Sequence, residues 1–255
     1  MNGGAVNRLA GFVAAFAAVV LSGCHADTTK PAPTAPVATP VAAAPAVATP
    51  APSAAADLNQ AFAAAFGSPA PAVRIVSRDG QDTTLRYRPA KLVAVGSLYA
   101  LISEARTEGC HGCYGELAIH YLTREGPGFK LVGAWPEIAN GGSFGEPPDW
   151  SMRTDLFTGP AVVASAGGTW QGCTVAYADI IELTPDKPVV RAKRILMTYS
   201  DGADDDHDVD GTLHAEQKDR AFAVDYAGSQ SRTVEYRPVG EVFEAAHGAP
   251  GLPSC

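Results

Sequence analysis

From residue 73 onward the apolar residues gather in short runs rich in Val, Ile, Leu and Tyr, divided by polar turn signals. This pattern predicts strands over 73–77, 84–88, 92–105, 116–123, 129–135, 161–165, 174–183, 189–199, 221–226 and 233–237. Asp79-Gly80, Gly126-Pro127-Gly128, Gly141-Gly142 and Gly167-Gly168 are the expected turns between them. No long helical pattern follows residue 67, so an alternating βαβ fold is excluded and an all-β domain of antiparallel meander sheets is expected. Before the strands, Leu58, Phe62 and Phe66 recur at a spacing of four, with Gly67 behind them. That predicts one short amphipathic helix with a glycine C-cap. Thr84-Leu-Arg-Tyr-Arg-Pro89 and Thr233-Val-Glu-Tyr-Arg-Pro238 resemble each other, which suggests similar roles for an early and a late strand.

Two further segments lie ahead of the helix. Arg8 precedes an unbroken apolar run from Leu9 to Leu21, too short for a stable membrane span and right for a signal peptide core. The run closes on Leu21-Ser22-Gly23-Cys24, the order of a lipoprotein signal peptidase site, so residues 1–23 are expected to be removed and Cys24 to carry the lipid. Several acyl chains together anchor stably where one does not. His25, in place of the aspartate that typically retains such proteins at the inner membrane, points to the periplasmic face of the outer membrane. Residues 24–56 contain Pro31, Pro33, Pro36, Pro40, Pro45, Pro50 and Pro52 among Ala, Thr and Val, a composition that favours extended polyproline II. They are expected to be a tether, with the folded domain occupying 57–255.

Charge and cysteine usage narrow the partners. Arg8 is the sole charge of the expected signal peptide, so 18 basic and 27 acidic residues remain, a net of −9. Such a protein is not built for nucleic acid, anionic lipid or anionic cell wall, and its field speeds encounter with a basic partner. Beyond Cys24 stand Cys110, Cys113, Cys173 and Cys255, an even set that in an oxidising periplasm implies two disulfides of three possible pairings.

Four constellations bear on chemistry. Asp201, Asp204, Asp205, Asp206, Asp208 and Asp210 crowd ten residues, and Asp206-His-Asp208-Val-Asp210-Gly211 fits the register of a calcium loop. Thr212 would offer a backbone carbonyl and Glu216 a late carboxylate, one residue early for a bidentate closing ligand; a solvated acidic hairpin is the alternative. Cys110-His111-Gly112-Cys113 has redox-motif spacing but no helix behind it to lower a thiol pKa, and Tyr114 stands where haem attachment needs histidine, so structural disulfides are expected. Gly141-Gly-Ser143-Phe-Gly145 matches the nucleophile elbow of hydrolases, yet Glu146-Pro147-Pro148 forbids the helix that motif requires. With no assembled catalytic set, the chain is read as a binder and not an enzyme. Trp135, Phe144, Trp150 and Trp170 are expected in the core, with a sugar groove as the alternative, and His120 is expected to be packed in a strand.

The lipobox, Pro-Ala tether, all-β body, Gly167–Cys173 turn, Asp-rich loop 204–211 and closing strand 233–242 together resemble the periplasmic immunity lipoproteins of bacteria-killing type IV secretion systems. The resemblance covers roughly residues 70–245, a domain-sized stretch. It implies a β-propeller-like fold, a calcium loop and inhibition of a lysozyme-like peptidoglycan hydrolase. An inhibitor of such an enzyme needs a rigid loop with hydrogen-bond donors for the catalytic carboxylates. Residues 139–146, with Asn140 and Ser143, are the candidate. A calcium-dependent ligand-binding or structural envelope lipoprotein is the second reading.

Overall fold

The computed structural model describes residues 54–78, 80–108, 111–202 and 208–247. All of them fall in the compact unit that spans Pro50–Cys255. The expected signal peptide and most of the expected tether lie outside them. No helix among the described residues is long and apolar enough to cross a membrane.

Among the described residues one helix, α1 (Ala54–Phe66), precedes thirteen strands. Strands β1 (Ala72–Arg78), β2 (Gln81–Val95), β3 (Leu98–Arg106), β4 (Glu116–Glu125) and β5 (Gly128–Asn140) form a five-stranded antiparallel sheet. The second sheet has eight: β6 (Asp149–Arg153), β7 (Ala161–Trp170), β8 (Cys173–Leu183), β9 (Pro188–Ser200), β10 (Val209–Gln217), β11 (Ala221–Gly228), β12 (Arg232–Val239) and β13 (Val242–Ala245). In both sheets every strand lies beside its neighbour in the chain, so the fold is all-β and built of two antiparallel meanders.

Alternation of side chains across each strand divides the core into layers. Phe62 and Ala65 of α1 pack on one face of the first sheet, against Leu85, Tyr87, Leu101 and Leu122. The other face carries Ile102, Leu117, Ile119 and Tyr121, which meet Val162, Ala164, Ile181 and Leu183 of β7 and β8. The eight-stranded sheet curls into a half-barrel. Its interior is filled by Phe157, Ile180, Val224, Tyr226 and a stack of Phe222 on Tyr236 at 4.9 Å. Arg191 of β9 closes the curl by donating to the Glu241 carbonyl at 2.9 Å, just ahead of β13.

Several boundaries differ from the expectation for physical reasons. The run 92–105 is two strands, parted by a turn at Gly96 with φ +58°. The expected strand 84–88 and the start of 92–105 are one strand, β2, and Pro89 is tolerated at the bulge that it forms between Pro89 and Lys91. Gly167 and Gly168 are not a turn: they lie within β7, and the reversal comes at Gln171-Gly172. The closing segment 233–242 is two strands with a turn at Gly240. Strand β6 had no counterpart in the reading, and β10 occupies what had been read as the end of a calcium loop. The helix starts at Ala54, three residues before the expected domain boundary at 57. Its Gly67, with φ +71°, donates to Ala63 O at 2.9 Å as the expected C-cap.

Candidate functional site

The loop between β5 and β6 is the most tightly built surface feature. It crosses the segment after β3, and backbone bonds run both ways: Gly141 N to Gly115 O at 2.8 Å, Gly115 N to Glu146 O at 2.9 Å, Gly145 N to Cys113 O at 2.8 Å, Phe144 N to His111 O at 3.1 Å and Thr107 N to Gly145 O at 3.0 Å. Such closeness leaves no room for side chains at the two ends of the Gly-x-Ser-x-Gly motif. A Cβ on Gly141 would strike Glu146 O, and one on Gly145, at φ +76°, would strike Thr107 O. The glycines therefore serve loop packing, and Pro147-Pro148 leads into β6 without a helix. Cys113, within the crossed segment, is disulfide-bonded, and so is Cys173 at the start of β8. Cys110 and Cys255 lie outside the described residues.

The loop presents Phe144, 64% exposed and in the left-handed region at φ +59°. A bulky residue takes that conformation at a cost of roughly 1–3 kcal/mol, and such outliers concentrate at functional sites. The ring sits edge-on to His111 at 4.4 Å. Asn140 is exposed at the end of β5, and Ser143 is half-buried on the loop beside Phe144.

Beneath the crossed segment lies a buried ionic network that sequence reasoning missed. The Glu116 side chain is fully buried and accepts from the Tyr87 hydroxyl, from Arg78 Nη2 and, at 3.3 Å, from the Glu137 backbone N–H. Arg78 spends its remaining donors on Glu137 Oε1 at 3.0 Å and Tyr114 O at 2.9 Å, with its guanidinium 4.3 Å from the Tyr114 ring centroid. Burial pushes the Glu116 carboxyl and the Tyr87 hydroxyl above their usual ranges, while Tyr87 and Arg78 draw the carboxyl back down. Of the network's members only Tyr87 lies in the repeated motif. Tyr87 and Tyr236 occupy its matching positions, and both are buried in the strand next to a sheet edge, β2 and β12.

The acidic stretch is placed as follows. Asp206 lies outside the described residues. Asp210, Thr212 and Glu216 fall on β10 and are exposed, with Asp210 and Glu216 about 20 Å of strand apart. Glu216 instead pairs with His214 Nε2 at 2.8 Å. Among the described residues no group of three or more His, Cys, Asp or Glu could hold a metal. One carboxylate oxygen of Asp208 is buried without a hydrogen-bond partner.

The aromatics divide. Trp135 packs edge-on to Tyr121 at 5.0 Å and Trp150 donates Nε1 to Glu104 at 2.7 Å, both against the inter-sheet core. Phe144 and Trp170 are exposed, which corrects the expectation that all four are core residues. His120 is packed as expected: it is 1% exposed against Phe66 at 4.7 Å, and neither ring nitrogen has a partner. Burial, with nearby Arg74, pushes its pKa down to about 4.

No family model, curated protein or solved structure matches this chain. The class that fold and site define is a two-sheet all-β protein with a braced aromatic loop.

Proposed function

We propose that this protein is an exported lipoprotein, anchored through Cys24 at the periplasmic face of the outer membrane, that binds and inhibits a lysozyme-like peptidoglycan hydrolase. The observation that carries the reading is Phe144, held exposed on a loop braced by backbone hydrogen bonds on both sides. A preorganised loop loses little entropy on binding, and a fixed exposed aromatic is the usual anchor of a protein interface. Asn140 and Ser143 beside it supply donors for an enzyme's carboxylates. The net charge of −9 steers a basic hydrolase toward this surface. The protein acts as an inhibitor and not an enzyme, its membrane contact is the lipid alone, and it takes no nucleic acid. The propeller-like arrangement of the immunity family belongs to the same proposal, since radial blades also arise from consecutive meandering strands.

The test is turbidity of a cell-wall suspension with hydrolases captured by the soluble chain. The chain is expected to stop clearing, and Phe144→Ala to raise the inhibitory concentration at least about thirtyfold, the loss of a hot spot of about 2 kcal/mol. Unchanged clearing with excess chain for every captured hydrolase contradicts the reading.

The orphaned oxygen of Asp208 supports the second reading, a calcium-dependent envelope protein. In that case Asp208 is one ligand of the expected set, Asp206 of that set lying outside the described residues. Calcium at a hundredfold excess over its dissociation constant then stabilises the fold by about 2.7 kcal/mol. The melting temperature of chelator-treated protein should rise on adding calcium, and Asp208→Ala should remove the rise.

A further inference from the structure

A groove of about 480 Å³ runs between the two sheets, lined on one side by Glu137–Gly142 and on the other by β7, β8 and the β9 bulge. It is elongated: Trp170 stands at the tip of the β7–β8 hairpin and Asp179 six residues along β8 from Cys173, which is about 20 Å of strand. Trp170 is 49% exposed. The position of its ring is fixed by Gly168, where a Cβ would meet the six-membered part of the indole. The six-membered part of the indole thus lies against bare backbone, and exposed surface remains for a ligand. This arrangement explains why β7 carries glycine two residues before the tryptophan.

Polar groups of both signs continue the groove. The Arg194 backbone N–H donates to Asp179 Oδ1 at 2.8 Å, which pins a β9 bulge where Arg194 itself has φ +53°. Its guanidinium lies 4.3 Å from the Tyr177 ring centroid. Glu137, across the groove, is also left-handed at φ +52° and is oriented by Arg78. Among the described residues neither Lys193 nor Arg194 has a carboxylate ion-pair partner. Two strained non-glycine residues on opposite walls mark a built site and not a chance crevice. Acceptors (Asp179, Glu137), donors (Lys193, Arg194) and the amide of Asn140 line it together, the two carboxylates matching the two cations. Each hydroxyl of a sugar both donates and accepts, so it needs such a mixed lining, and the apolar C–H face of a pyranose ring suits a flat indole.

We propose that this groove binds a neutral, hydroxyl-rich glycan strand, with one sugar ring stacked on Trp170 and the following units extending toward Lys193 and Arg194. The proposal is independent of hydrolase inhibition, and its test contains no hydrolase. The full chain carrying Cys24→Ala is titrated with β-1,4-linked N-acetylglucosamine monomer and tetramer, and with cellotetraose, by calorimetry and by the Trp170 indole N–H signal. At least one tetramer is expected to bind with a millimolar or lower dissociation constant, at least about tenfold tighter than the monomer, and to shift that signal. Trp170→Ala should weaken binding at least about tenfold, with the melting temperature reported alongside. The Lys193→Gln, Arg194→Gln double variant leaves the indole in place and should reduce the tetramer's affinity toward that of the monomer. No response to either tetramer at about 10 mM overturns the proposal, as does binding that survives Trp170→Ala intact.

Discussion

Arg78→Ala is expected to destabilise the protein by about 3–5 kcal/mol, because it leaves the Glu116 carboxylate buried without its cation. The cost comes from the orphaned charge and not from the loss of a favourable pair, since desolvation of both ions offsets most of their attraction. Arg78→Met combined with Glu116→Gln therefore should recover most of the loss, whereas Arg78→Met alone should not. Urea unfolding of the three variants measures this, with the slope checked for constancy. Recovery by the single Arg78→Met variant would contradict the account. The effect reaches the surface, because Glu116 follows Gly115, whose N–H and carbonyl both brace the Phe144 loop. Loosening the network should raise hydrogen exchange at Gly141 and Gly145 before the rest of the sheet opens.

Acid is expected to cost a further about 3 kcal/mol through His120 alone. Its pKa falls from 6.5 in the open chain to about 4 in the fold. Between those values the unfolded chain binds the proton and the folded one does not, so stability declines as pH drops from about 6.5 and levels off below about 4. The charged groups facing it are few: Arg74 from β1, whose guanidinium lies 4.8 Å from the Phe66 ring centroid, adds a like charge, and α1 contributes Phe66. Because neither ring nitrogen is bonded, His120→Leu removes no hydrogen bond. That variant should keep its stability near pH 7 within about 1.5 kcal/mol and lose the slope between pH 6.5 and 4. An unchanged slope would assign the acid sensitivity elsewhere.

Where local pattern alone decides, the chain was legible. Phe62 sits at the centre of the predicted apolar stripe and is fully buried, and Gly67 caps the helix. Most strand cores, such as β4, β8 and β11, fell where the apolar runs stand. The misses arise where tertiary packing overrides the local signal. Gly167 and Gly168 read as a turn because glycine usually is one; here the backbone of β8 at Val175 and Ala176, and the Trp170 ring, occupy the space their side chains would need. The acidic register 206–216 read as a calcium loop or a solvated hairpin, and the strand within it went unread: pairing with β11 makes Val209–Gln217 β10. The 139–146 segment was legible as a loop, since its glycines and Pro147-Pro148 left it no helix to form. Its brace was not, because nothing local joins Arg78, Tyr87 and Glu116, which are brought together by three strands.

The meander order has a consequence for how the chain comes into being. Residues 72–140 hold all five strands of the first sheet, and every pairing among them is between chain neighbours. Those hairpins can zip while the remainder is still being delivered, with short loops closing at small entropic cost. Yet the sheet so formed carries Ile102, Leu117, Ile119 and Tyr121 on a face that β7 and β8 cover later. A half-delivered chain is thus already paired and still adhesive, and the interval before residues 161–183 arrive is when it is most exposed to aggregation.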